Sequence, residues 1–177
     1  MKYLIVGLGN PSDKYRNNRH NVGFMFVDYV VTKTESEKPK NEKKFDAEIA
    51  EIPFKGGKAL VAKPQSYMNR SGDVVHKISD FYKIAVANIM VVHDDLDIPL
   101  GRFRIHIGTS PLTHNGIASI DEALGTKGYT RIRIGIENRE AVNHPSGEDY
   151  VLSDFTQDEQ KIIEDLFPQI WDRISNS

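Results

Sequence analysis

Cysteine is absent from the 177 residues. That removes disulfide stapling, thiolate zinc sites and thiol nucleophiles together. An excess of one charge is missing too: 23 basic side chains stand against 25 acidic ones, for a net charge of −2. Such a balance does not describe a globally basic nucleic-acid binder, although a local basic face stays open. No apolar run approaches the roughly 18 residues that a membrane-spanning helix needs. The opening run Tyr3-Leu4-Ile5-Val6 meets Gly7 before it attains the about 7–15 apolar residues of a secretory core. A cytoplasmic protein with no membrane partner is the expectation. Internal repeats and low-complexity domains are also lacking.

What is present suits a folded chain. With 39% hydrophobic residues there is too much apolar content for disorder, and the length points to a single domain over 1–177. Tyr3–Val6 and Ile89–Val92 are continuous apolar runs, the mark of strands buried on both faces. Ala47–Ile52 and Ala59–Ala62 flank Gly56-Gly57, a hairpin signal. Arg102–Ile107 and Arg131–Ile136 alternate polar and apolar residues and read as half-solvated strands. Helical spacing appears at Val22, Phe26, Tyr29 and Val30, and again from Val74 to Tyr82. A further helix over Gly116–Leu124 ends at Gly125, and Thr156 with Glu159 forms a capping box for the last helix. Pro168 is expected to kink or restart that helix. The lysine-rich stretch Thr32–Lys44 reads as a surface connection. Interleaved strands and helices predict a three-layer α/β domain, with a mixed, mostly parallel central sheet and helices on both faces.

Polar residues collect just past the predicted strands, where open α/β sheets place their sites. The clusters are Asn10 to Asn21, Pro64 to Asn69, His93 to Asp97, and Thr113 to Gly116. A dinucleotide fingerprint fails, because Ser12 stands where Gly7-x-Gly9 would need its third glycine. A metal set from His93, Asp94, Asp95 and Asp97 fails because neighbouring strand residues point to opposite faces. A Gly-x-Ser-x-Gly nucleophile elbow does not occur. Any hydrolysis would therefore activate water directly. His20, Asp94 and the asparagines suit that task as a group. An imidazole can take a proton from water, a carboxylate can fix its tautomer, and neutral amides can bond an oxyanion. Taken singly, each has a plainer use: Asn10 before Pro11 forms turns, and Asn69 and Asn115 are suited to capping helices.

At these residues the sequence resembles the bacterial peptidyl-tRNA hydrolase family. The resemblance is carried by Leu4 to Pro11, Tyr15, Arg19 to Gly23, Lys63 to Gly72, His93 to Asp97, His114-Asn115-Gly116, Arg131 to Ile136 and Asp149 to Leu152. It implies a monomeric enzyme that needs no metal or cofactor and cleaves the ester joining a peptide to the terminal ribose of tRNA. It further implies His20 as general base, Asp94 as its orienting partner and Asn10 as reader of the blocked amino group. Asn69 and Asn115 would hold substrate, water or oxyanion, with Tyr15, Tyr67, Met68 and His114 on the substrate and tRNA side. A second possibility within the resemblance is a non-catalytic RNA-binding relative, a splicing or ribonucleoprotein partner.

Two stretches depart from the pattern. Thr109–Thr113 replaces a usually glycine-rich segment with Pro111 and bulkier residues. The C-terminal helix, usually basic, carries Lys161 and Arg173 against Asp158, Glu159, Glu164, Asp165 and Asp172. Phosphate contacts dominate nucleic-acid affinity, so tRNA is expected instead at Arg102, Arg104 and His106, or at Arg131 and Arg133. The plainer reading of these last five is a solvated sheet face.

Overall fold

The computed structural model describes residues 2–108, 113–139 and 145–176. Strand β1 (Tyr3–Gly7) is buried along Leu4, Ile5 and Val6, as its unbroken apolar run demands. It lies between β4 (Gly57–Pro64) and β5 (Ile89–Pro99), parallel to both. Beyond β5, strand β7 (Thr130–Glu137) is also parallel, and β6 (Phe103–Ile107) closes that edge antiparallel to β7. On the other side β3 (Ala47–Phe54) pairs antiparallel with β4, and β2 (Lys40–Glu42) pairs antiparallel with β3. The sheet order is β2-β3-β4-β1-β5-β7-β6. It is a mixed sheet whose four central strands run parallel.

Alternate residues of these strands feed two cores. Helices α1 (Val22–Lys33) and α5 (Gln157–Ser175) cover one face, where Phe26, Val30, Ile163, Phe167 and Ile170 meet Ile5, Val92 and Ile132. Helices α2 (Ser71–Tyr82) and α3 (Asn115–Leu124) cover the other, where Val75, Ile78, Ile117 and Ile120 meet Leu4, Val6 and Val91. No helix among the described residues is long and apolar enough to cross a membrane.

Three expectations change. Part of the lysine-rich stretch is the edge strand β2, whose charged side chains suit a sheet border because they discourage further pairing. Helix α5 runs through Pro168 as one element. Ile163, Leu166 and Phe167 before the proline and Ile170, Trp171 and Ile174 after it all sit in one core, and that packing outweighs one lost hydrogen bond. Arg131 and Arg133 are buried, at 1% and 7% exposure, rather than solvated. Arg131 Nη2 donates to Asp121 at 2.7 Å and Arg133 Nε donates to Asp95 at 2.6 Å. Both arginines are structural ion pairs beneath α3 and β5, which removes them as phosphate contacts.

One contact sets the position of the site. A Cβ on Gly23 would stand 2.4 Å from both the Leu8 amide nitrogen and the Val92 carbonyl oxygen. Only glycine lets the start of α1 approach the ends of β1 and β5 so closely. The turn just before α1 is thereby held over the carboxyl ends of the parallel strands.

Candidate active site

That turn, Arg19–Asn21, carries His20. His20 Nδ1 lies 2.8 Å from Asp94 Oδ1 at the end of the buried part of β5. The same oxygen is 2.9 Å from His114 Nε2. His114 is the N-cap of α3, and its Nδ1 accepts from the Ile117 amide at 3.3 Å. An imidazole whose Nδ1 accepts carries its hydrogen on Nε2, so His114 donates to Asp94. Asp94 thus receives hydrogen bonds from helical layers on opposite sides of the sheet. With Nδ1–H donated to Asp94, His20 keeps Nε2 bare.

The electrostatics follow from this arrangement. Burial alone would raise the Asp94 carboxyl, yet the two facing imidazoles and their hydrogen bonds hold it well below the usual carboxylate range. Burial alone would lower His20, but the Asp94 charge and hydrogen bond outweigh it and leave its pKa above the ordinary 6.5. His93, fully buried and packed edge-on against His114 with ring centroids 4.8 Å apart, is pushed well below its ordinary value by burial. Its Nδ1 donates to the Asp94 carbonyl at 2.7 Å, so it supports the β5 backbone rather than facing the cavity.

The asparagines surround this floor. Asn10 is held on three sides: its amide donates to Asn21 Oδ1 at 2.9 Å, and its carbonyl accepts from Asn21 Nδ2 at 2.9 Å. Its own Oδ1 accepts from the Met68 amide at 3.1 Å. This orientation leaves Nδ2 as the group Asn10 can offer a ligand. Asn69 and Asn115 are exposed and cap nothing: Arg70 stands at the N-cap of α2, and His114 takes that place on α3. Their amides are thus available at the rim.

A cavity of about 570 Å³ joins these groups. Asn10, His20, Asp94 and His114 form its floor, with Asn69 and Asn115 at its edge. Tyr67, at 68% exposure, and buried Met68 line one side, while Leu96, Val151 and Leu152 give the other an apolar wall. Asp95 and Asp97 diverge from Asp94: Asp95 grips Arg133, and Asp97 stands exposed at the rim. Tyr15 is half-buried on the turn Asp13–Tyr15 and does not line this cavity. Thr113 lines it, whereas 109–112 of the altered stretch fall outside the described residues. A larger cavity of about 850 Å³ shares only Asn10 with it. Lys63 there is bound to Asp28 and Glu48 at 2.8 and 2.9 Å, and no histidine is among its lining residues.

Two features lie in segments that carry the resemblance, but the sequence assigns them no role at the site. Asn21 follows the histidine in the motif, but its grip on Asn10 depends on a chain reversal that spacing does not reveal. The wall of Val151 and Leu152 belongs to the short helix α4 (Gly147–Val151) and the residue after it.

His20, Asp94 and His114 also present ligand atoms within 4.8 Å of one another, the outline of a metal set. The donor chemistry does not fit one. His114 Nε2 carries the hydrogen it gives Asp94, and its other nitrogen already accepts from Ile117. A metal would have to expel that hydrogen from a ring with no second place to hold it.

Fold and floor together describe a three-layer α/β protein whose cleft presents an imidazole held on a buried carboxylate beneath side-chain amides. The peptidyl-tRNA hydrolase family model matches residues 4–176. The chain is 43% identical over 159 residues to the Frankia alni peptidyl-tRNA hydrolase, covering 90% of this chain and 79% of that one. It is 38% identical to the Lawsonia intracellularis protein of that name over 175 residues, 99% of this chain and 86% of the other. A crystal structure of peptidyl-tRNA hydrolase from Acinetobacter baumannii superposes with a TM-score of 0.84 at 32% identity, covering 98% of this chain and 94% of that one. The chain belongs to the peptidyl-tRNA hydrolase family.

Proposed function

We propose that the protein hydrolyses the ester between a peptide and the terminal ribose of tRNA, recycling tRNA from prematurely released peptidyl-tRNA, with His20 as the general base. The observation that carries this reading is the imidazole pair on Asp94 beneath the Asn10, Asn69 and Asn115 amides. His20 Nε2 takes a proton from water as the water oxygen attacks the ester carbonyl. The carbonyl oxygen becomes an oxyanion, to which the side-chain amides of Asn69 and Asn115 donate. On collapse the ribose oxygen leaves and takes the proton back from the His20 imidazolium. A free peptide carboxylic acid and a tRNA with a free terminal hydroxyl result. A placed base contributes roughly 10²–10⁴ in rate and each oxyanion donor roughly 10²–10³. Asn10 Nδ2 donates to the acyl carbonyl on the blocked amino group, an acceptor that a free ammonium lacks. His114 serves by holding Asp94, and Tyr67 and Met68 line the path of the tRNA end.

Arg102 and Arg104 are exposed beside the edge strand β6. Because β6 runs antiparallel to β7, the end nearest Arg102 lies at the same end of the sheet as the cavity. They supply the phosphate contacts that acidic α5 cannot. We further propose that the protein acts as a monomer in the cytoplasm. An open cavity floored by a bare imidazole nitrogen argues against the purely RNA-binding alternative. The test is release of tRNA from N-acetyl-aminoacyl-tRNA. Wild-type protein should hydrolyse it and discriminate against unblocked aminoacyl-tRNA. Arg104→Ala should raise KM, flatten its salt dependence by about one counterion and leave kcat unchanged. Turnover equal to buffer would overturn the reading.

A further inference from the structure

The residue before His20 is a buried guanidinium. Arg19 retains 5% exposure, and a charge so placed requires partners on nearly every side. Its Nη2 donates to Glu159 Oε2 at 2.5 Å, and its Nη1 donates to Ser153 Oγ at 2.8 Å and the Asp154 carbonyl at 2.6 Å. The guanidinium lies over the Tyr150 ring, 4.1 Å from its centroid. The backbone repeats the pattern. Arg19 N–H donates to the Ser153 carbonyl at 3.1 Å, Phe155 N–H donates to the Asn17 carbonyl at 3.0 Å, and Asn18 bridges Asp154 in antiparallel fashion.

The far ends of this strap are themselves fixed. Glu159 Oε2 accepts from the Thr156 amide at 2.8 Å, and its Oε1 accepts from Asn138 Nδ2 at 3.2 Å. The Tyr150 hydroxyl donates to the Ile136 carbonyl at 2.9 Å. Arg19 therefore ties the turn bearing His20 to the first turn of α5 and to the segment bearing Val151 and Leu152. One end of the strap holds the base, and the other holds the wall of the cavity.

Stability alone does not account for this device. Replacing a buried ion pair by apolar groups of similar volume is often neutral or favourable. Arg19 Nε and Asn18 Oδ1 are buried without a partner among the described residues, a penalty that an apolar contact would avoid. What the arrangement supplies is direction. A three-residue turn has almost no hydrogen bonding of its own, so the aim of His20 depends on what grips its ends. Asn21 grips one end through Asn10, and Arg19 grips the other.

We propose that Arg19 and Glu159 are positioning residues for His20, and that the acidic C-terminal helix serves the site by anchoring the catalytic turn. This rests on His20 being the base, and the experiment separates the two claims. Arg19→Met, Arg19→Lys and Glu159→Gln are compared with wild type on N-acetyl-aminoacyl-tRNA from about pH 5 to 9, with thermal unfolding measured alongside. Arg19→Met should lower kcat roughly 10–100-fold, as an ångström-scale misplacement does, with KM changed by less than about twofold. As the turn loosens from Asp94, the acid limb should move to lower pH. Arg19→Lys keeps the charge without the fork and should fall between Arg19→Met and wild type. Wild-type kcat with an unmoved acid limb overturns the proposal even if the melting temperature drops, and so does a change confined to KM. If Arg19→Met does not fold, Glu159→Gln decides. It keeps an oxygen for Thr156 and should still lose several-fold in kcat; an unchanged kcat would overturn the proposal. Activity surviving in His20→Ala would instead remove the base reading itself.

Discussion

His20→Ala is expected to lower kcat by about 10²–10⁴-fold on N-acetyl-aminoacyl-tRNA, with little change in KM. The size follows from His20 being, among the described residues, the one group with a free basic nitrogen facing the cavity. Asp94 is committed to two hydrogen bonds, and both nitrogens of His114 are occupied. The amides of Asn69 and Asn115 cannot accept a proton at neutral pH. They would remain to polarise the carbonyl, so the residue of activity should be that of an oxyanion site without a base. The variant should fold, since His20 lies outside both hydrophobic cores and gives up one hydrogen bond. Single-turnover kinetics give the result free of product release. A rate within tenfold of wild type would remove His20 from the mechanism.

Asp94→Asn should lower kcat by up to about 10⁴, the loss when a histidine base is left in the wrong tautomer. An asparagine there can turn its NH2 toward His20, and Nδ1 must then accept. The ring hydrogen moves to Nε2, the atom that has to receive the proton from water. The charge is lost as well, so the influence that raises the His20 pKa disappears. Activity needs neutral His20 and rises as pH climbs through its pKa. The wild-type acid limb should therefore lie above the ordinary histidine range, because Asp94 raises the His20 pKa, and that of Asp94→Asn should lie below the wild-type position. A pH–rate profile with circular dichroism on the same samples checks both effects. An unshifted limb with near-normal kcat would mean that Asp94 does not orient the base.

The fold was largely legible because its signals are local. The apolar runs of β1 and β5, the hairpin turn at Gly56 and the Thr156–Glu159 capping box each depend on neighbours within a few residues, and all are present. Arg131 and Arg133 were not legible. Alternation reads the same whether the polar face meets water or meets Asp121 and Asp95 arriving from elsewhere in the chain. Pro168 departs from its local rule for a related reason: packing on both sides of it outweighs the missing hydrogen bond. At the site, residue types pointed to a base, a carboxylate and amides. Their meeting depends on contacts 74 residues apart for His20 and Asp94, which spacing cannot supply. Asn21 and Arg19 lay beside the histidine in plain view, yet their work is done on partners brought by the fold.

The proposed chemistry depends on which His20 nitrogen is bare, and imidazole ¹⁵N resonances report that directly. In uniformly labelled protein at neutral pH, the His20 signals, assigned by their loss in His20→Ala, should show hydrogen on Nδ1 and none on Nε2. They should titrate above 6.5, at the same pH as the acid limb of kcat/KM. A His20 ring with its hydrogen on Nε2, or one whose titration does not coincide with that limb, would contradict the mechanism.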